Sequence, residues 1–181
     1  MSAAGRGAGR AVGHVILVGL PGAGKTTAGR AAARLLGRPF LDFDQEIERR
    51  EGLSVAELFA LRGEAAFRAL ERALTEELAS GPPMVLAPGG GWVTNPDVVA
   101  LLRPPGRIIH LRVPPGVALA RLGARAATRP LLRVPDPEAA LAQLYERRRG
   151  LYEAADAVVD VELLTPQQVA ARVAELATAW A

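Results

Sequence analysis

The fold is decided by residues 14–27, which read His14-Val15-Ile16-Leu17-Val18-Gly19-Leu20-Pro21-Gly22-Ala23-Gly24-Lys25-Thr26-Thr27. The apolar, β-branched run at residues 14–18 is bounded by glycines and predicts a short buried strand. Residues 19–26 match the pattern G-x-x-x-x-G-K-[ST] in full. A helix is predicted from Lys25 to Leu36, because Gly37 and Pro39 follow. The stretch therefore predicts a strand, a glycine-rich turn and a helix in direct succession.

This succession is typical of a phosphate-binding loop. Glycines allow backbone N–H groups to surround an anion closely, and the helix N-terminus adds its positive dipole. Lys25 would reach the β- and γ-phosphates of a nucleoside triphosphate, and the Thr26 hydroxyl would bind Mg²⁺. Lys25 is also the only lysine among 22 basic residues. We therefore predict a triphosphate site; the alternative is a glycine-rich turn that contains a lysine by chance.

The rest of the chain alternates between predicted strands and helices. Four further strands are predicted at residues 40–43, 84–87, 107–113 and 157–161. Capping signals open several helices, among them Ser54 with Glu57, and Thr165-Pro166-Gln167-Gln168. This alternation indicates an α/β fold with a parallel sheet of five strands covered by helices on both faces. Ligands of such sheets bind beyond the carboxyl ends of the strands.

Length and composition narrow the class of protein. The 181 residues suit one domain, which we place at residues 14–181, and we predict a flexible basic tail at residues 1–13. The sequence has no cysteine, no long apolar segment and no secretory signal, so we expect a cytoplasmic protein without membrane contact. The net charge of +3 and the scattered arginines argue against nucleic-acid binding. Since no sustained heptad pattern appears, a monomer is expected.

Two aspartates follow the second predicted strand. Asp42 and Asp44 point the same way if the strand continues, and they face two different ligands if a helix begins between them. One would then hold the hydrated metal, and the other would bind or deprotonate an acceptor hydroxyl. The alternative is that Asp44 only caps a helix that begins at Gln45. Gly89-Gly90-Gly91 end the third strand and indicate either close approach of a ligand to the backbone or a plain surface turn.

One arginine is predicted on an apolar helix face. In the helix expected from Asp136 to Ala155, Arg148 lies at the centre of an apolar stripe, whereas Arg147 and Arg149 project to its edges. The stripe consists of Leu141, Leu144, Tyr145, Leu151 and Tyr152. An inward guanidinium indicates an anionic partner. The alternatives are an arginine that extends to solvent, one paired with an internal carboxylate, or a helix broken at Gly150.

Two further arginines are candidates with plainer alternatives. Arg68 lies on a helix with Glu64 and Glu71 in ion-pair range, so by itself it is better explained as an ordinary solvated helix arginine. Arg129 precedes Pro130 in a basic loop, which indicates either a lid that closes over phosphate or a merely soluble loop.

Taken together, these residues resemble the shikimate kinase family. The resemblance covers nearly all of residues 14–180. It rests on residues 19–27, Asp42-Phe43-Asp44, Phe67-Arg68 with Glu71, Gly89-Gly90-Gly91, Arg129-Pro130-Leu131-Leu132, and Arg148 ahead of Leu151-Tyr152. It implies a P-loop fold related to nucleoside monophosphate kinases, with a lid at about residues 121–135 and a separate substrate-binding helical region.

The resemblance also implies a role for each candidate residue. Transfer of the γ-phosphoryl group of ATP to the 3-hydroxyl of shikimate would involve Lys25, Asp42, Asp44 and Arg129, with Mg²⁺ near Thr26 and Asp42. ATP would be bound by Gly22, Ala23, Gly24, Lys25, Thr26, Thr27, Arg121 and Arg129. Shikimate would be bound by Asp44, Arg68, Gly89, Gly90, Gly91 and Arg148. Which aspartate acts as a base, if either does, stays open.

Two other classes of function fit parts of the pattern. A related P-loop kinase would phosphorylate another small acid, such as gluconate, or a nucleotide, although the scarce aromatic residues suggest no second base pocket. A P-loop regulatory module would hold nucleotide without turnover of a small molecule. The arginines and the aspartate pair favour an enzyme.

Overall fold

The computed structural model describes residues 13–181, so the predicted tail lies outside the described residues except for Gly13. Strands are β1 (Val15–Val18), β2 (Phe40–Asp42), β3 (Val85–Ala87), β4 (Arg107–Arg112) and β5 (Ala157–Asp160). Helices are α1 (Lys25–Leu36), α2 (Phe43–Glu51), α3 (Val55–Ala79), α4 (Pro96–Leu102), α5 (Pro115–Leu122), α6 (Pro137–Glu153) and α7 (Pro166–Ala179). Short 3-10 turns lie at Trp92–Thr94, Gly123–Thr128 and Pro130–Leu132.

The five strands form one parallel sheet in the order β2-β3-β1-β4-β5. The predicted α/β fold with a five-stranded parallel sheet is therefore confirmed. The strand β1 lies at the centre, between β3 and β4, and its last residue Val18 is in register with His110 of β4. The phosphate-binding loop leaves the carboxyl end of this central strand, where the carboxyl ends of β2, β3 and β4 also lie.

The sheet is covered on both faces. Successive residues of β1 alternate between two apolar cores, because side chains of a strand point to opposite faces in turn. Val15 and Leu17 pack in the core beneath α1, α5 and α7. Ile16 and Val18 pack in the core beneath α2, α3 and α4. The helix α6 contributes to both cores, with Leu141 and Leu144 in the first and Tyr152 in the second.

Helix caps explain most of the element boundaries. The capping boxes predicted at Ser54 and Thr165 are both present. The long helix α3 is interrupted at Gly63, whose φ of 81° and ψ of 172° are not helical. Only a glycine adopts this conformation readily, since it has no Cβ. Arg68 and Glu71 follow this break on the second part of the helix.

Among residues 13–181, no helix combines the length and the apolar character that a membrane crossing requires.

Candidate active site

The loop between β1 and α1 has the backbone of an anion-binding cradle. Gly24 is the N-cap of α1 with φ of 86°, and no side chain occupies the N–H groups of the first helical turn. Gly22 has φ of 87°, and a Cβ there would collide with the carbonyl group of Ala118. A residue other than glycine at either position would therefore be strained. The free N–H groups and the helix dipole favour a bound phosphate.

Lys25 lies across this loop. Its Nζ donates hydrogen bonds to the carbonyl oxygens of Gly19 at 2.8 Å and Leu20 at 3.0 Å. Burial lowers the pKa of Lys25 to about 8, and the nearby Arg129 acts in the same direction. The loop thus holds the ammonium group in a buried site, where a bound polyanion would stabilise its positive charge.

Asp42 joins the phosphate-binding loop to β2. The Thr26 hydroxyl donates a hydrogen bond of 2.5 Å to Asp42 Oδ2, and the other oxygen of Asp42 accepts from the backbone N–H of Gln45. The prediction that Asp44 caps the next helix is wrong, because Asp42 is the N-cap and α2 already begins at Phe43. The predicted strand at residues 40–43 accordingly ends one residue early.

Because the helix begins between the two aspartates, they have different surroundings. Asp44 lies in the first turn of α2, and its buried Oδ1 has no hydrogen-bond partner within residues 13–181. Burial raises the pKa of Asp44 to about 6, and the charge of Asp42 adds to this rise. A buried carboxylate oxygen without a partner is costly, so it marks a place where a donor from a ligand would be accommodated.

The glycine run after β3 meets three side chains. A Cβ at Gly89 would lie 2.8 Å from Asp44 Oδ1 and 2.9 Å from Glu71 Oε1, and one at Gly90 would lie 3.1 Å from Arg148 Nη1. A Cβ at Gly91 would overlap the Arg68 guanidinium. A Cβ at any of the three would press on the charged end of one of these side chains, so the run lets them approach the backbone closely and is not a plain surface turn.

Arg68 is held by carboxylates of its own helix. It forms ion pairs with Glu71 at 2.5 Å and Glu64 at 3.2 Å, as predicted for an ordinary helix arginine. Glu71 is only 1% exposed, and its Oε1 has no partner among the described residues. The Arg68 side chain is half-buried against the glycine run, so it is more than a solvated surface arginine.

Arg148 reaches the same glycines from α6. It is half-buried, and it forms no ion pair with any residue from 13 to 181. The helix continues through Gly150 to Glu153, so the alternative of a break at Gly150 is wrong. Arg147 and Arg149 are exposed as expected, but Leu151 is 39% exposed and does not belong to the apolar stripe. Arg148 therefore offers a guanidinium whose carboxylate partner must come from elsewhere.

A cleft of about 390 Å³ is lined by the phosphate-binding loop, Asp42, Asp44, Gly89 and Gly90. Arg68, Gly91 and Arg148 are not part of its lining, but both arginines lie next to the glycine run that is.

The other end of the cleft is lined by apolar and basic residues. These are Arg121, Leu122, Arg125, Arg129, Leu164, Pro166 and Val169. The Arg121 guanidinium is fixed by the carbonyl oxygens of Val161 at 2.6 Å and Glu162 at 3.0 Å. The exposed Arg129 influences the pKa values of Lys25 and Asp44, so its charge faces the cleft.

Five of these residues were not singled out from the sequence, namely Leu122, Arg125, Leu164, Pro166 and Val169. Their positions could have indicated them. Leu122 and Arg125 lie between Arg121 and Arg129, and Leu164, Pro166 and Val169 follow the carboxyl end of β5, where ligands of parallel sheets bind.

The residues next to the cradle fit Mg²⁺. Within residues 13–181, no cluster of three or more histidine, cysteine or acidic side chains is arranged to bind a metal. Mg²⁺ does not need one, since it keeps several waters and takes one or two protein oxygens together with phosphate oxygens. The Thr26 hydroxyl and the Asp42 carboxylate, in direct contact beside the loop, are such oxygens.

Comparisons with known proteins agree with this geometry. The family model described as Shikimate kinase matches residues 21–178. The chain is 47% identical to the shikimate kinase of Burkholderia pseudomallei over 139 residues, covering 77% of this chain and 75% of that protein. It is 44% identical to the shikimate kinase of Halorhodospira halophila over 163 residues, covering 90% and 92%.

The solved structures give the same result. The shikimate kinase of Acinetobacter baumannii in complex with shikimate has a TM-score of 0.86 and 37% identity, covering 94% of this chain and 95% of that one. A gluconokinase from Sinorhizobium meliloti has a TM-score of 0.55 and 22% identity, covering 94% and 97%, which shows a common fold alone. The chain belongs to the shikimate kinase family of ATP-dependent phosphotransferases, which serve the shikimate pathway.

Proposed function

We propose that the protein transfers the γ-phosphoryl group of ATP to the 3-hydroxyl of shikimate. The observation that carries this assignment is Arg148, a half-buried guanidinium that has no carboxylate partner among residues 13–181 and reaches the glycine run. A substrate carboxylate would supply the missing anion. The apposition of Arg68 to Gly91 supports a second contact to the same acid.

In this assignment the acceptor lies between the two aspartates and the arginines. Asp44, with its unpartnered oxygen, would accept hydrogen bonds from ring hydroxyls of shikimate. The backbone of Gly89, Gly90 and Gly91 would lie against the ring, because no Cβ separates it from Asp44, Arg148 and Arg68. The arginines would thus bind the carboxylate at one side of the ring, and Asp44 would bind hydroxyls at another side. Together these contacts would fix the orientation of the 3-hydroxyl.

The phosphates would occupy the loop from Gly22 to Thr27. Backbone N–H groups of Gly22 and Gly24 would donate to the β-phosphate, whereas the N–H of Ala23 already donates to the Leu20 carbonyl oxygen at 3.0 Å. Lys25 would exchange its two carbonyl contacts for phosphate oxygens. Thr26 and Asp42 would hold Mg²⁺, which neutralises charge on the β- and γ-phosphates when bound. Arg121 would lie beside the adenine, where its contacts to the carbonyls of residues 161 and 162 fix it.

Catalysis by these residues would be mainly positioning and charge neutralisation. Lys25 and Arg129 would stabilise the charge that develops on the transferred group, with Arg129 brought in by closure of the lid at about residues 121–135. Asp42 or Asp44 would orient the attacking hydroxyl and accept its proton as the new O–P bond forms. Burial raises the pKa of Asp44 to about 6, which suits this carboxylate to accept a proton.

The test is ADP release by the purified protein with ATP, Mg²⁺ and a set of small acids. Shikimate should be required, and gluconate should give no turnover above the rate without acceptor. Arg148→Ala should raise the KM for shikimate by about 100-fold while the Kd for ATP stays within about twofold. Arg149→Ala is the matched control, because Arg149 is exposed and paired with Glu146. Normal shikimate turnover by Arg148→Ala would remove this substrate assignment.

The predictions of a monomer and of a cytoplasmic location rest on the sequence alone, and a mass measurement in solution tests the first.

A further inference from the structure

The hydroxyl of Tyr152 is a buried polar group, and no group among residues 13–181 lies in good hydrogen-bonding geometry to it. The residue is 1% exposed, so bulk solvent does not reach it. Such a group costs stability unless it acts on a neighbour, and phenylalanine would fill the same space without that cost. We therefore expect a neighbouring donor that this hydroxyl oxygen would orient.

The ring of Tyr152 is fixed by stacking. It lies parallel to the His110 imidazole, with ring centroids 4.4 Å apart and an interplanar angle of 12°. His110 belongs to β4 and is in register with Val18, the residue directly before the phosphate-binding loop. The stack thus connects α6 to β4, which is the neighbour of the strand that leads into the loop.

The charged group on the same face of α6 is Arg148. It precedes Tyr152 by four residues, so the two side chains lie one above the other on the helix. Burial raises the pKa of the Tyr152 phenol, whereas the positive charge of Arg148, which lies near enough to hydrogen-bond the phenol in a less regular geometry, opposes that rise. The Arg148 guanidinium extends from this point to Gly90 without an ion-pair partner within residues 13–181.

We propose that Tyr152 is a positioning residue for Arg148, with its buried hydroxyl oxygen accepting a hydrogen bond from the guanidinium and holding it toward the substrate carboxylate. This inference rests on the proposed function for the identity of that substrate. A carboxylate partner within the protein would neutralise the guanidinium and weaken its attraction for an acid. A neutral phenol orients the guanidinium and leaves its charge available.

The test is a double-mutant cycle in steady-state kinetics. Tyr152→Phe should raise the KM for shikimate by about 5- to 20-fold, with kcat and the KM for ATP within about twofold, because a hydrogen bond to a charged group is lost. In the Arg148→Ala background, the same substitution should change kcat/KM for shikimate by less than about twofold. The conservative ring change keeps the stack on His110, so Tyr152→Phe should fold normally.

Tyr145→Phe is the matched control, because Tyr145 lies two turns earlier on the same helix and belongs to the same aromatic group. Its KM for shikimate should equal that of the wild type. An unchanged KM for Tyr152→Phe, or an equal loss with and without Arg148, would overturn the inference.

A second measurement needs no substrate. In ¹⁵N NMR spectra of arginine side chains, the Arg148 Nε–H signal, assigned by its loss in Arg148→Ala, should be that of an ordered group in the wild type. It should move toward the position of free arginine in Tyr152→Phe and stay in place in Tyr145→Phe. A signal unchanged by Tyr152→Phe would contradict the inference even if shikimate were not the acceptor, so the two failures are distinguishable.

Discussion

The Thr26 hydroxyl donates a hydrogen bond of 2.5 Å to Asp42 Oδ2, which joins the first turn of α1 to the end of β2. The pair brings a hydroxyl and a carboxylate to the mouth of the phosphate-binding loop. Asp42 also caps α2 through its other oxygen, so one side chain orders the second helix and contacts the loop. In the proposed function the same carboxylate would also help to hold Mg²⁺.

Asp42→Asn should separate these two roles. The amide oxygen still caps α2, so the melting temperature should stay within about 3 °C. The lost negative charge should lower kcat by at least about 100-fold and shift the Mg²⁺ titration to higher concentration. The measurement is ADP release as a function of Mg²⁺ concentration. Thr26→Ser keeps the hydroxyl and serves as a control, and near-normal kcat in Asp42→Asn would contradict the metal assignment.

The values of kcat/KM for shikimate and for ATP should decline at opposite ends of the pH range. The pKa of Asp44 is raised to about 6 by burial and by Asp42, so its carboxylate is lost as pH falls below that value and kcat/KM for shikimate should decline. The pKa of Lys25 is lowered to about 8 by burial and by Arg129, so kcat/KM for ATP should decline as pH rises above that value. Measurement of both ratios from pH 5 to 9 tests this, and flat profiles would contradict it.

Asp44→Asn should stabilise the folded protein at pH 8 while it removes activity. The folded-state pKa of Asp44 lies above the unfolded value, so ionisation between about pH 4 and pH 6 costs folding free energy. The neutral amide avoids a cost on the order of 1–3 kcal/mol. Urea unfolding at pH 8 and at pH 4 measures the effect, which should shrink at the lower pH. A variant less stable than the wild type at pH 8 would count against a buried charge at this site.

Gly91→Ala should displace Arg68. The added Cβ would overlap the guanidinium, so the side chain must move away from the glycine run. We expect the KM for shikimate to rise by about 10-fold or more, because binding groups tolerate little displacement. Gly150→Ala is the control: its Cβ meets nothing within 4 Å in the middle of α6. It should leave activity unchanged and raise the free energy of unfolding by about 0.5–1 kcal/mol. Equal KM values in the two variants would contradict the contact.

The protein should lose stability in mild acid through His110. Burial, followed by the charge of Arg112, lowers the pKa of this histidine to about 4, so the folded state keeps it neutral where the unfolded chain binds a proton. The free energy of unfolding should therefore fall as pH decreases from about 6.5 to about 4, by about 2 kcal/mol at pH 5. His110→Phe keeps an aromatic ring on Tyr152 and should flatten this part of the profile in urea unfolding. If the free energy of unfolding of His110→Phe fell with pH as steeply as that of the wild type, groups other than His110 would be responsible.

The local pattern of residues 14–27 was sufficient for the phosphate-binding loop. Gly22 and Gly24 adopt positive φ, and Lys25 contacts the backbone of the same loop. The arrangement depends on residues that are close in sequence, so the local pattern is enough to predict it. The same holds for the capping boxes at Ser54 and Thr165. Arg148 was also found from sequence, because the helical period places it among apolar residues within one element.

What the sequence determined by itself is thus the order of strands and helices, the anion cradle, and the identity of the charged residues near it. Only the tertiary structure decided which aspartate caps α2, that Arg68 and Arg148 meet at the glycine run, and that Leu164, Pro166 and Val169 line the far end of the cleft. The physical reason is range: caps and periodicity act within a few residues, whereas these contacts join elements that become neighbours only when the sheet forms.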